Sequence, residues 1–405
     1  MPNRTKPQRI SLRAVIIFAF LFAFGYLLRF YFFPAKFFDY TMFLNKWYLL
    51  LQKNGFSAFS QPFSDYTYLY LYYLYFLAKF DINSLYGIKF LSIIFDSGLA
   101  ILTYRILRMN SSQLKSLAGS VTVFLLPTCF TNGAIWGQCD SIYTFFLLLS
   151  VYFLLKRQGL KACLAFSLAF SLKLQSVFIL PTYALLFLFP QKRAEYNIKK
   201  WYFLLPPAIY IIIALPTLFA GNSPSYVFLF KTFYNQIHGY TDLTLNAPTI
   251  WAFFSKEYMH PIVPFLSLPG IVAISFLFYT LFLSSKNNHD EILPLVILTL
   301  TTLSIFLLPR MHERYFYFSD IFSVVIAYYY WKPALFLASA CIITASFTTY
   351  CNVLFGTSAT SIKTLTLLMA LAILILISTM LQIRWNNHLA KKALYRENKG
   401  STLQN

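Results

Sequence analysis

Phe306-Leu-Leu-Pro-Arg-Met-His-Glu-Arg-Tyr-Phe316 places Arg310, His312, Glu313 and Arg314 between two apolar runs, residues 292–308 and 315–331. Charged groups at a membrane boundary are costly to desolvate. The stretch therefore reads as a short link between two membrane-crossing helices, with ionisable groups that have a task. Two neighbouring guanidiniums suit a phosphate, because each presents a planar fork of donors that matches two anion oxygens. This reading decides the fold, because long apolar runs separated by short polar links recur along the whole chain.

Composition agrees. Of 405 residues, 58% are hydrophobic, 20% aromatic and only 11% charged, about half the charge of a soluble domain. The apolar runs are too long and too continuous for the alternating strands of a β-barrel. The chain is expected to be an all-α, polytopic transmembrane bundle of about ten to twelve spans. It forms a single integral membrane domain over residues 1–405. A net charge of +20, from 33 basic against 13 acidic side chains, would suggest nucleic acid in a soluble protein. In a membrane protein it sets topology and attracts anionic headgroups, so the expected surroundings are a lipid bilayer and no nucleic acid. The five cysteines are scattered without a CxxC pair, which indicates neither a zinc site nor a disulfide framework.

Walking outward from the quoted stretch gives the topology. Residues 14–33, preceded by Arg4, Lys6, Arg9 and Arg13, read as a first span entering from the cytoplasm rather than a cleaved signal peptide. Residues 34–84 form a first extracytoplasmic loop. Within it the tyrosine-rich segment 66–80 is too short to cross and prefers the headgroup zone, so it reads as an interfacial helix. Leaving it uncrossed puts Arg105, Arg108 and Lys115 inside, as the positive-inside rule asks. Spans follow near 85–104, 117–131 and 141–155. A pair broken around Lys173 covers 162–189, and further spans lie at 202–220, 265–283, 292–308, 315–331, 334–350 and 364–383. Residues 221–264 are a second large outer loop and 385–405 a basic cytoplasmic tail. Both termini are expected in the cytoplasm, and about two-thirds of the acidic residues fall outside or within spans, which points to a reaction centre on the outer face.

Candidate chemistry collects on that outer face. Asp39, with aromatic neighbours, is the candidate general base. Gln138 and Asp140, at the turn Trp136-Gly-Gln-Cys-Asp140, offer the hydrogen bonds that sugar hydroxyls need, and Trp136 can stack on a sugar face or anchor at the interface. Lys173 must pair, snorkel or meet an anion. Arg310, Arg314 and Lys173 are the candidate phosphate ligands. Tyr40, Asn246, His312 and Glu313 complete the substrate set. Asp96 is expected to pair inside a span. Together these parts suit an inverting glycosyl transfer in which a base takes a proton from an acceptor hydroxyl and fixed cations stabilise a leaving phosphate monoester.

The elements Asp39-Tyr40 with Trp47, Trp136-Gly-Gln-Cys-Asp140, Lys173-Leu-Gln175, Leu245-Asn-Ala247 with Trp251, and Pro309-Arg-Met-His-Glu-Arg-Tyr315 resemble the GT-C superfamily of polytopic glycosyltransferases. The likeness is to bacterial relatives of the second mannosyltransferase of GPI-anchor synthesis, and it covers roughly residues 14–350. The resemblance implies a catalytic aspartate in the first outer loop, matched by Asp39, and membrane-lying helices in that loop. It also implies a polyprenyl-phosphate hexose donor (mannose or a related sugar), inversion at the anomeric carbon, and a glycan, lipid or protein acceptor in the cell envelope. No cofactor is implied beyond the donor, and a divalent metal is left open. One departure is local: relatives often carry a Pro-Pro or Tyr-Pro-Pro turn where this chain has Ser64-Asp-Tyr-Thr-Tyr68. The rival expectation is a lipid-linked-sugar flippase or transporter, which needs cations for phosphate but no base. A second rival is a ligase or polymerase using lipid diphosphates.

Overall fold

A computed structural model of the protein describes residues 11–221, 231–232, 234, 242–254, 262–284, 292–357 and 360–401. Much of the 221–264 loop lies outside the described residues, as does part of the link before residue 292. The described chain is almost wholly helical. Six helices are long and apolar enough to cross a membrane, and a seventh candidate is the pair Gln113–Phe124 and Pro127–Trp136, bent by 43°. Shorter apolar helices at Asp140–Leu155, Gly159–Leu172, Leu174–Leu188 and Leu293–Leu307 fill the rest of the bundle. A multi-pass membrane protein follows.

In chain order the elements used below are α1 (Leu12–Tyr31), α2 (Asn45–Asn54), α3 (Tyr68–Lys79), α4 (Ser84–Leu107), α5 (Gln113–Phe124), α6 (Asp140–Leu155), α7 (Gly159–Leu172), α8 (Leu180–Leu188), α9 (Leu205–Ala214), α10 (Ile262–Phe278), α11 (Leu293–Leu307), α12 (Tyr317–Tyr330), α13 (Pro333–Phe355) and α14 (Ile362–Ser401). The segment expected to lie flat is the helix α3. Its 12 residues make roughly 18 Å, well short of a hydrocarbon core of about 30 Å. The basic tail is no separate piece, since α14 runs unbroken through it to Ser401. Large exposed apolar residues such as Phe20, Leu27, Ile212, Val272 and Leu374 are natural where the surrounding solvent is lipid.

One end of the bundle is organised around breaks in the helices. At Lys173 the chain leaves α7 in extended conformation and restarts with a tight turn, Leu174–Ile179, before α8. Between α5 and α6 a wide turn, Thr131–Trp136, is closed by Gly137 at φ 78°. That conformation is costly for any residue with a Cβ. The Trp136–Asp140 turn, read from sequence as a short outer turn, is packed against its neighbours: Trp136, Gln138 and Asp140 are all buried. Two short strands, β1 (Thr244–Leu245) and β2 (Met311–His312), pair in parallel, and Asn246 bridges to His312. Asn246 and Arg310, both at φ 62°, make the turns that allow this pairing.

The opposite end carries the basic collar. α4 and α6 run away from the breaks toward Arg105, Arg108, Lys156 and Arg157, α8 leads to Lys192 and Arg193, and α12 leads to Lys332. Among the described residues with described side chains, Glu195 is the acid at that end. In the middle, α1 is tied to α4 and α5 by Arg29. Its Nε pairs with Asp96 Oδ2 at 2.9 Å and its Nη2 donates to the Phe124 carbonyl at 2.7 Å. Gly25, one turn earlier, leaves room for the Phe124 ring, which a Cβ there would meet at 2.6 Å.

Candidate active site

The helix breaks and the β1–β2 pairing enclose a cavity of about 470 Å³. It is lined by Asp39, Asp65, Tyr66, Trp136, Gln138, Lys173, Gln175, Asn246, His312, Glu313, Arg314 and Tyr315, with Phe43, Leu44, Trp47, Leu245 and Val353 as apolar wall. Asp39 and Arg314, 275 residues apart in sequence, meet here with Arg314 Nη1 3.4 Å from Asp39 Oδ2. The same guanidinium nitrogen lies 3.2 Å from Glu313 Oε1. Its charged plane sits 5.4 Å from the centre of the Trp136 ring, a cation–π arrangement.

The first loop delivers Asp39 on a short wide turn into α2. The preceding bend is clasped by Lys89 of α4, whose buried ammonium donates to the Phe32 carbonyl at 2.9 Å and the Ala35 carbonyl at 2.7 Å. Gln138 Nε2 donates to Asp39 Oδ2 at 2.5 Å, and Tyr66 donates its hydroxyl proton to Gln138 Oε1 at 2.8 Å. Burial holds the Tyr66 phenol protonated, its pKa pushed well above the ordinary range. Lys173 pairs with Asp140 beneath the cavity floor. Asn132 fixes the other Asp140 oxygen, donating at 2.8 Å.

Two further carboxylates respond to their surroundings. Burial would raise Glu313, but the hydrogen bond from His312 and the charge of Arg314 outweigh it and hold the group below its ordinary value. Burial pushes Asp65 up. Cys139 is buried in the same turn, its thiol pushed up by burial, and packs as a small neutral side chain. Among the described residues no three of His, Cys, Asp and Glu are grouped so as to hold a metal ion.

Of the residues singled out from sequence, Asp39, Trp136, Gln138, Lys173, Asn246, His312, Glu313 and Arg314 line the cavity. Three do not. Tyr40 points away and is buried, its hydroxyl shared with Ser84 at 2.8 Å and Asn45 at 3.1 Å, because consecutive residues of a helical turn cannot face the same way. Asp140 lies below the floor as the partner of Lys173, which settles the pairing of that lysine. Arg310 sits outside the lining. Its backbone turns left-handed and donates to the Leu243 carbonyl at 2.9 Å, a role in joining two loops. Trp251, expected at the interface, donates from its ring nitrogen to the Leu307 carbonyl at 2.8 Å and so caps α11. Tyr66, Asp65, Gln175 and Tyr315 were not singled out as site residues. Tyr66 lay hidden in a run of tyrosines whose composition signals an interface rather than a site.

Beside the polar cavity lies an apolar one of about 510 Å³ between α8, α10 and α11, lined by Val177, Phe178, Leu185, Leu268, Phe276 and Leu308 among others. The two share a wall, where the Phe178 ring stands 5.7 Å from the ring of Tyr315. No family model matches the chain, and no curated protein matches it in sequence.

Proposed function

We propose that this chain is an inverting GT-C-type glycosyltransferase that moves a hexose, mannose in the first instance, from a polyprenyl-phosphate carrier to a hydroxyl of an envelope glycan, lipid or protein. The observation that carries the reading is the meeting of Asp39 and Arg314 in one cavity beside Lys173. In this reading Asp39 takes the acceptor proton, and Arg314 and Lys173 neutralise the departing phosphate monoester. The apolar cavity beside the site is suited to the start of a prenyl chain, which would enter from the bilayer. The basic collar at the far end of the bundle supports a cytoplasmic placement of that end and an extracytoplasmic site, with both termini inside and the plasma membrane as location.

The rival reading, a carrier that flips the lipid-linked sugar, needs polar groups along a path through the bundle. Among the described residues, the buried acidic and basic side chains that do not line the cavity are Arg29, Lys89, Asp96, Asp140, Lys192 and Asp320, and all are enclosed by protein. Asp320 accepts from Ser346 at 2.8 Å. The test is to incubate purified protein with a panel of polyprenyl-phosphate sugars and a mixed envelope acceptor fraction. Transfer from one donor, lost in Asp39→Asn with folding intact, supports the reading. Full transfer by that variant overturns it.

A further inference from the structure

An arginine beside an aspartate ordinarily forks onto both carboxylate oxygens. Inside a reaction cavity that default would be self-defeating. It would occupy the base and the phosphate-binding cation with each other. Here the fork does not close. One guanidinium nitrogen reaches one oxygen, Oδ2, at the long distance of 3.4 Å, while Gln138 holds that oxygen at 2.5 Å. Among the described residues no hydrogen bond reaches Oδ1.

The orientation of Gln138 follows from chemistry. An ionised carboxylate only accepts, so the amide must turn its NH2 to Asp39 and its oxygen to Tyr66, whose hydroxyl must then donate. The direction of every proton in the chain Tyr66–Gln138–Asp39 is thereby fixed. Tyr66 is itself immobilised. Its ring meets Trp47 edge-on at 5.2 Å and lies 5.3 Å beneath the Lys173 ammonium.

We propose that Tyr66 and Gln138 are positioning residues that hold Asp39 by Oδ2, keep Arg314 from closing a two-point salt bridge on it, and leave Oδ1 to face the acceptor. The proposal rests on the glycosyltransferase reading above. In the step it serves, Oδ1 takes the hydroxyl proton as the acceptor oxygen bonds the anomeric carbon. The bond from that carbon to the phosphate oxygen breaks, and its electron pair leaves with the phosphate, where Arg314, held to Asp39 at one point only, receives it. Gln138 is thus assigned to the base rather than to a sugar hydroxyl.

The experiment is a double-mutant cycle of Tyr66→Phe and Gln138→Leu in lipid nanodiscs, read by turnover and by structure. Gln138→Leu should lower kcat about 100-fold, the scale of a misplaced reacting group. Tyr66→Phe should lower it about tenfold, the scale of one lost hydrogen bond. KM for donor and acceptor should stay within about threefold, and the double variant should be no worse than Gln138→Leu, because both changes break one relay. A rise in KM at unchanged kcat, or losses that multiply, would assign Gln138 to substrate and overturn the proposal. If Gln138→Leu does not fold, Tyr66→Phe decides alone: unchanged kcat overturns it. The second arm needs no turnover. A cryo-EM structure of Gln138→Leu should show Arg314 bonded to both oxygens of Asp39, and an unchanged one-point contact counts against the relay. A wild-type protein that transfers no sugar sinks the functional reading, and the structural arm still decides the relay.

Discussion

The molecule contains two meetings of an arginine with an aspartate, and they are built differently. Arg29 and Asp96 sit mid-bundle at 2.9 Å with side chains 1% and 0% exposed, and the guanidinium also donates to carbonyls of Gly25 and Phe124. Arg314 and Asp39 stand 3.4 Å apart with side chains 17% and 22% exposed, and each is shared with another group. A dry pair is held because breaking it leaves an uncompensated charge. A wetter, divided pair gives up some attraction and keeps both members available. The first joins three helices; the second is arranged to receive something.

That contrast can be broken most directly at the aspartates. Asp39→Asn should lose transfer by about 1,000-fold or more, the reach of a lost general base, with a melting temperature like that of wild type. Asp96→Ala should do the reverse, lowering stability by about 3–5 kcal/mol, as expected for a buried pair stripped of one partner. Any properly folded fraction should keep its turnover number. The double change Arg29→Met with Asp96→Leu should recover most of that loss, because it removes both charges together. Paired thermal melts and donor-consumption assays check all three, and exchanged phenotypes between the two aspartates would erase the distinction.

Smaller effects sharpen it. Arg314→Lys keeps the charge but not the fork, so kcat should fall about 10–100-fold with folding intact, measured by single-turnover transfer. Glu313 draws Arg314 away from Asp39 and is held below its ordinary value of 4.5. Its folded pKa is the lower one, so its contribution to stability is complete above about pH 4.5 and is lost as pH falls through the folded value. Melting followed from pH 6 down to about 3 should therefore drop more steeply in wild type than in Glu313→Gln. Parallel curves would remove Glu313 from the arrangement.

Much of this was legible in the sequence. Apolar run length located the helices, but against the roughly ten to twelve spans expected, six described helices are long and apolar enough to cross, or seven with the bent pair, because breaks such as the one at Lys173 shorten others. The convergence of Asp39 with the Met311–Tyr315 stretch followed from placing both at one face. What local pattern cannot carry is pairing across distance and the direction of a side chain. Asp140 looks like a substrate ligand until its contact with Lys173 shows that it instead holds that lysine at the cavity. Arg29 passes unremarked in an apolar run, because hydropathy averages over the charge while its partner lies 67 residues away. Tyr40 shares a motif with Asp39, but a turn of helix points the two apart. Arg310 resembles a twin of Arg314 until its left-handed backbone is seen.

The clasp of Lys89 on the bend before Asp39 bears on how reactants reach one another. A ligand path that required the first loop to swing outward would have to break two charge-assisted bonds in a water-poor setting. The aspartate is thus bolted to the frame, and under the proposed function traffic would be left to the other walls: sideways past the apolar hollow for a lipid-borne donor, and over the stitched strand pair for an acceptor from water.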